Sequence, residues 1–315
     1  MKYGLIGAVT ATALGMATAT AHAGDPSECR EVGFSNVSWT GVTVKTETVA
    51  WMLEELGYET EVTTASVQIA FQAVASGERD AFFGLWLPTQ RSMIEPHFER
   101  GDVEKVVANL EGAKYTLAVP QYVYDAGVTH FEDLNEHADK FESRFYGIEA
   151  GNDGNEIILD MIDDDAYSLG GWDLMESSEA GMLSQVDRAI DREEWVVYLG
   201  WAPHPMNTNF DMAYLHGGED YFGPDQGGAT VYTLATTGYV DKCPNVGRLL
   251  EQFTLSVEEQ SIGQSYVTDD DMDYAEAGRA LIQDHPELLE RWLDGVTTYD
   301  GEREALAVIR ESLDL

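Results

Sequence analysis

From residue 30 onward, short runs rich in β-branched and aromatic residues alternate with longer stretches whose apolar positions recur at helical spacing. Glu31 to Trp39 reads as a strand. Val42 to Leu56 reads as a helix, with Val44, Val49, Met52, Leu53 and Leu56 at its apolar positions. Glu59 to Thr64 is the next strand, a helix runs from about Ser66 to Ala75, and Ala81 to Leu87 is a third strand. This βαβαβ order predicts a mostly parallel sheet covered by helices, in which ligands bind beyond the carboxyl ends of the strands.

A second cycle begins near Tyr115. Tyr115 to Val119, Phe145 to Ile148, Trp172 to Glu176 and Trp195 to Gly200 read as strands, separated by helices near Phe131 to Phe141, Asn155 to Ile162 and Glu179 to Ile190. Leu234 to Val240 and a helical Val246 to Leu255 resume the first style, and Ala275 to Asp284 and Pro286 to Leu293 are helical. The order predicts two α/β lobes, the second inserted into the first. The boundaries fall at residues 24–112 and 213–315 for the first lobe and 113–212 for the second.

The N-terminus adds a third segment. Met1-Lys2-Tyr3, an uncharged run from Gly4 to Thr20 and the small-x-small site Ala21-His22-Ala23 make a secretory signal peptide over residues 1–23. The run is too short and too rich in Thr, Ala and Gly for a membrane span. In an exported chain with only two cysteines, Cys29 and Cys243, a disulfide is expected, which would tie the mature N-terminus to the C-terminal third.

Charge narrows the partners. The chain has 315 residues, with 18 Lys+Arg against 57 Asp+Glu, a formal net charge of −39. Such a surface repels phosphate backbones and anionic lipids, so nucleic acid is excluded as a partner and neutral or cationic ones are favoured. The excess reads mainly as a solvated surface suited to high salt, because the Debye length of ~8 Å at physiological ionic strength screens distant carboxylates from a cleft.

The candidate chemistry is aromatic. Trp39 closes the first strand, Trp86 lies near the end of the third, Tyr115 opens the second cycle and Trp201 follows the run Trp195 to Gly200. Each tryptophan leads into turn-like sequence: Trp39-Thr40-Gly41, Trp86-Leu87-Pro88 and Trp201-Ala202-Pro203. One such residue would ordinarily be packing. Recurrence in both halves points instead to a cage whose ring faces attract a cation without N–H donors, each face worth ~0.5 to 1 kcal/mol exposed and ~2 when desolvated.

Three stretches, Gly112-Ala113-Lys114-Tyr115-Thr116-Leu117, Ile148-Glu149-Ala150-Gly151-Asn152-Asp153-Gly154-Asn155 and Gly217 to Tyr232, together resemble the periplasmic choline-binding proteins of ABC importers. The resemblance extends over nearly the whole mature chain and includes both cysteines. It implies a two-lobed periplasmic binding protein of type II-like α/β fold, each lobe a mostly parallel sheet flanked by helices. It also implies a trimethylammonium cage of Trp39, Trp86, Tyr115 and Trp201, with the Asn152 amide at the ligand's polar end. The function implied is capture of choline, glycine betaine or trimethylamine N-oxide in the periplasm, for an ABC permease in the inner membrane, by a monomer without cofactor or catalytic residues. Where choline binders carry an aspartate after Trp-Thr, this chain has Gly41, which favours a ligand whose other end is an acceptor.

Other features carry plainer expectations. Asn152 to Asn155 suits a helix N-terminus. Glu219, Asp220 and Asp225 offer oxygens for a structural Ca²⁺, without the spacing of an EF-hand, and an ordinary surface loop is the better reading. His204 is a packing residue beside the cleft. The alternative function is an exported hydrolase of a choline ester, against which stand the absence of a Gly-x-Ser-x-Gly elbow and of a His-Glu-x-x-His motif. A chemoreceptor-associated sensor would use the same pocket.

Overall fold

The computed structural model describes residues 24–315; the signal-peptide expectation for residues 1–23 lies outside the described residues. The first half of the chain runs β1 (Glu31–Asn36), α1 (Thr40–Glu55), β2 (Glu59–Thr64), α2 (Val67–Ser76), β3 (Ala81–Leu87), α3 (Arg91–Arg100) and β4 (Val103–Pro120). The middle continues through α4 (Gln121–Asp125), β5 (Arg144–Tyr146), α5 (Asp153–Asp163), β6 (Asp173–Met175), α6 (Glu179–Asp191), β7 (Val197–Ala202), α7 (Met206–Asn209), β8 (Met212–Tyr214), α8 (Glu219–Phe222) and α9 (Pro224–Gly227). The chain closes with β9 (Gly228–Thr236), α10 (Tyr239–Lys242), α11 (Pro244–Gln252), α12 (Val257–Thr268), α13 (Tyr274–Asp284), α14 (Glu287–Trp292) and α15 (Ala305–Ser312). Phe131 to Phe141, expected as one helix, forms two short 3₁₀ turns followed by tight turns.

The strands are ordered β2-β1-β3-β9-β4-β7-β5-β6, with β8 added on β4. β1 is parallel to β2 and β3, and β5 is parallel to β6 and β7, as βαβ crossovers require. β4 and β9 are antiparallel to their neighbours and link the two halves. β4 pairs with β9 from Val103 to Lys114, then with β7 from Lys114 to Ala118, so one strand serves both lobes. Gly112 sits at an irregularity in the β9 pairing, between Leu110 and Ala113, with φ of 76°, a conformation costly for any residue with a Cβ.

Side-chain burial separates the lobes. In the first, Phe34, Met52, Leu53, Phe83, Phe253 and Trp292 pack between one sheet face and α1, α11 and α14, while Phe71, Phe82 and Ile94 pack on the other with α2 and α3. Each such burial contributes about 1.5 to 3 kcal/mol. Phe131, Phe145, Ile158, Met161, Trp172, Val197 and Leu199 build the second lobe's core. Cys29 and Cys243 are joined, with Cα atoms 5.7 Å apart, inside the first lobe. Beside them the Asp25 carboxylate accepts from Asn245 N–H at 2.8 Å and Val246 N–H at 3.0 Å in the first turn of α11.

The structure moves one expected boundary. Residue 213 falls within β8, whose residues pair with Ala118, Val119 and Pro120 of β4. The following loop buries Phe222 against Phe131 and Tyr115, so residues 213–227 pack with the second lobe and the chain returns at β9. No helix among the described residues is long and apolar enough to cross a membrane.

Candidate functional site

The cleft between the lobes holds a small cavity of about 30 Å³, lined by Trp39, Gly41, Val42, Trp86, Gln90, Tyr115, Ile148, Asp153, Trp201, Pro203, Gln260 and Gln264. Its aromatic residues come from places the topology fixes. Trp39 precedes α1, Trp86 lies on β3, and Tyr115 and Trp201 are direct cross-strand partners on β4 and β7. The Tyr115 ring stands 6.0 Å from Trp86 at 60° and 6.2 Å from Trp201 at 83°, edge to face. Phe222 supports it from behind at 6.1 Å. A Cβ on Gly154 would overlap the Tyr115 hydroxyl, so glycine there lets the helix approach the ring.

Tyr115 titrates well above its ordinary range, first because it is buried and then because Asp153 and Glu149 stand nearby. It is therefore a neutral ring at any working pH. Asp153, buried at the N-terminal end of α5, has its carboxyl raised by burial, while the Thr89 hydroxyl and Gln90 amide pull it back toward ionisation. Gln90 Nε2 donates to Asp153 Oδ1 at 3.2 Å, and Gln90 Oε1 accepts from Trp86 N–H at 2.8 Å. That chain couples a carboxylate of the second lobe to the strand that carries Trp86 in the first.

Asn152 stands one layer behind the cavity wall. Its carbonyl oxygen accepts from Asn155 N–H at 3.0 Å and from the Tyr115 hydroxyl at 3.4 Å, and its amide donates to the Glu149 carbonyl. It caps α5 and orients Tyr115, while the neighbouring Asp153 faces the cavity. His204 is buried, its ring 5.0 Å from Trp201, with Nε2 3.3 Å from Glu179 Oε1. Glu219 and Asp220 open the short α8, and no three His, Cys, Asp or Glu side chains gather into a metal-holding group among the described residues.

Hydrogen bonds cross the cleft around the cavity. Trp39 Nε1–H donates to Glu149 Oε1 at 2.6 Å; Thr40 N–H donates to Glu179 Oε2 at 3.2 Å, and the Thr40 hydroxyl donates to Glu179 Oε1. Gln264 Nε2 donates to the Pro203 carbonyl at 3.0 Å. Burial raises the Glu149 carboxyl, and the Trp39 N–H moderates that shift. These contacts exist only when the lobes are together, so this is a closed conformation.

Gln90, Asp153, Gln260 and Gln264 were not among the expected ligand contacts. The glutamines stand one turn apart on α12, and the signal available for them was the capping box Ser256-x-x-Glu259, which the structure closes with bonds of 3.1 and 2.7 Å.

A two-lobed α/β protein with a closed aromatic cleft at its hinge is a solute-binding protein by architecture. Residues 30–284 match the family model OpuAC, the substrate binding domain of ABC-type glycine betaine transport systems, and the chain belongs to that family. A solved ABC-transporter choline binding protein in complex with choline superposes with a TM-score of 0.89 at 42% identity, covering 92% of this chain and all of that one. The same description of protein in an unliganded semi-closed conformation gives 0.83 at 43% identity, covering 91% and 100%. Among sequence relatives, the glycine betaine/carnitine transport binding protein GbuC of Listeria monocytogenes is 29% identical over 163 residues, 52% of this chain and about half (53%) of that protein. An uncharacterized protein, ORF1, of Chromohalobacter salexigens is 59% identical over 131 residues, 42% of this chain and 84% of that one.

Proposed function

We propose that this protein is exported to the periplasm, where it captures a trimethylammonium compound of the choline and glycine betaine class as a monomer and presents it to an inner-membrane ABC permease. The observation that carries this reading is the joint lining of one cavity by Trp39 and Trp86 from one lobe and Tyr115 and Trp201 from the other. A quaternary ammonium has no N–H to donate, so it is held by ring faces and by unlike charge rather than by hydrogen bonds. Trp86, Tyr115 and Trp201 are each at most 8% exposed, which places those faces in a poorly solvated site where the attraction is strongest.

The chemistry of capture follows from the parts. With the lobes apart, water reaches both halves of the cage. The ligand enters against Tyr115 and Trp201, β4 and β9 flex, and Trp39 and Trp86 close over it. Glu149 and Glu179 then accept from Trp39 and Thr40, holding the closed form. Asp153 supplies a fixed negative charge beside the cation. Release needs only the reverse motion, since no bond is made or broken.

An esterase reading would need a nucleophile beside a base. His204, the one histidine beside the cavity among the described residues, is instead engaged with Glu179 and with the Met206 N–H at 3.0 Å. Titration calorimetry with choline, glycine betaine, carnitine and trimethylamine N-oxide tests the proposal, and at least one should bind at micromolar concentration or better. Heat from none of them, or turnover of a choline ester, would overturn it.

A further inference from the structure

One wall of the cavity is polar rather than aromatic. α12 presents Gln260 and Gln264 to it, 4% and 1% exposed respectively. The orientation of Gln264 is fixed, because its Nε2 donates to the Pro203 carbonyl at 3.0 Å and to the Gln260 carbonyl at 3.3 Å. Its Oε1 is left pointing away from those carbonyls, and both Gln264 Oε1 and Gln260 Oε1 are buried without a partner among the described residues. An unmet buried acceptor is costly, so each is a place where a donor on the ligand gains affinity.

Gly41 explains how the amides come to stand there. A Cβ on residue 41 would lie 2.7 Å from Gln260 Nε2 and 3.0 Å from Gln264 Oε1. A side chain at this point in the first turn of α1 and the two amides of α12 compete for one space, and in this chain the amides occupy it.

The charges lining the cavity have one sign. Asp153 is there and Glu149 is beside it, and among the described residues no Lys, Arg or His is in the lining. A ligand carboxylate would be buried without a counter-ion, beside Gln264 Oε1 and with only neutral amide donors to meet it. The first turn of α1 would serve an anion, but its Thr40 N–H is already engaged with Glu179 at 3.2 Å.

The geometry points to Gln260 and Gln264 as the residues that select the ligand's polar end, favouring a net-cationic trimethylammonium alcohol over a trimethylammonium carboxylate. This rests on the reading of the cage given above, and it reverses the preference for an acceptor-ended ligand expected from Gly41 alone. Absence of a carboxylate at position 41 does not make the site welcoming to another carboxylate, because the neutral amides that take its place bring no positive charge and include the unpartnered Gln264 Oε1.

The test is titration calorimetry of choline, glycine betaine and tetramethylammonium with the full mature chain and with Gln264→Leu and Gln260→Leu, each variant checked for an unaltered thermal transition. Wild type should bind choline at least tenfold more tightly than glycine betaine. Each variant should lose about tenfold in choline affinity while tetramethylammonium, which has no polar end, changes less than threefold. Glycine betaine binding as tightly as choline would overturn the inference and leave the cage intact. So would equal losses for choline and tetramethylammonium, which would make the glutamines closure contacts only. No binding of any of the three would overturn the cage and this inference together.

Discussion

The two lobes face the cleft with opposite chemistry. The first brings donors and amides: Trp39 Nε1–H, Thr40 N–H and hydroxyl, Gln90 and the glutamines of α12. The second brings acids, Glu149, Asp153 and Glu179, set around Tyr115 and Trp201. Neither lobe encloses the cavity alone, since each supplies part of its lining and part of the contacts that close it. Of the 57 acidic residues, these three stand in the cavity lining or bond to Trp39 and Thr40 beside it. The chain's large negative charge thus says little about its ligand, whereas the position of three carboxylates says much.

The buried titratable groups differ in the same sense, and there the largest effect is expected. In the first lobe Lys45 is buried, donates to Asn109 Oδ1 at 2.8 Å, and has its pKa lowered to about 7 by burial. Between about pH 7 and 10 the unfolded chain binds this proton and the folded chain does not. Stability should therefore rise with pH over that window by about 1.4 kcal/mol per unit from this residue. Denaturant unfolding of wild type and Lys45→Met across the window checks it, and equal slopes would remove Lys45 as the cause.

Tyr115 touches Trp86, Trp201 and Phe222, so Tyr115→Ala opens the middle of the cage. A loss of about 2 kcal/mol or more, roughly thirtyfold in affinity, is expected in calorimetry. Glu179→Ala removes the acceptor for Thr40 and should weaken binding about tenfold, with a smaller fall in the melting temperature of ligand-free protein, because the Thr40 contact forms only on closure while the His204 contact at 3.3 Å lies within the second lobe. A matched drop in melting temperature would show that Glu179 holds the second lobe itself.

The acids give a smaller and graded effect. Asp153 and Glu149 are raised above ordinary carboxylate values by burial, and a bound cation favours their ionised forms. Proton and ligand compete, so cation affinity should fall as pH drops toward the raised carboxyl values and be constant above them. Asp153→Asn should weaken cation binding throughout and flatten that fall. An unchanged pH profile would mean that Asp153 does not sense the ligand.

The pattern of apolar residues located β2 and β3 at their observed ends and α1, α5 and α6 within two residues; β3 is a continuous buried run, and α5 and α6 each bury one face. β4 was legible only from Tyr115 to Val119. Its first part carries Glu104, Lys105 and Glu111, pairs through irregular register and turns at Gly112, so neither strand alternation nor a continuous run marks it. That Trp39, Trp86, Tyr115 and Trp201 line one cavity followed from aromatic residues near strand ends. The amide end did not, because α12 is polar on most of its surface and its glutamines reach the cleft only through packing against α1 and α13. Asn152 was expected at the ligand, whereas its neighbour Asp153 lines the cavity: register at a helix start, which decides whether residue 152 or 153 faces the cavity, is set by the cap itself.

The central claim is that ring faces and buried acids hold a positive charge, rather than a shape. Calorimetry comparing choline with its neutral carbon isostere, in which carbon replaces the ammonium nitrogen, tests this most directly. The two ligands have the same size, hydroxyl and methyl groups. The account predicts that choline binds at least a hundredfold more tightly, about 2.7 kcal/mol. Affinities within threefold of each other would contradict it, and would make the cleft an apolar pocket for any branched alcohol.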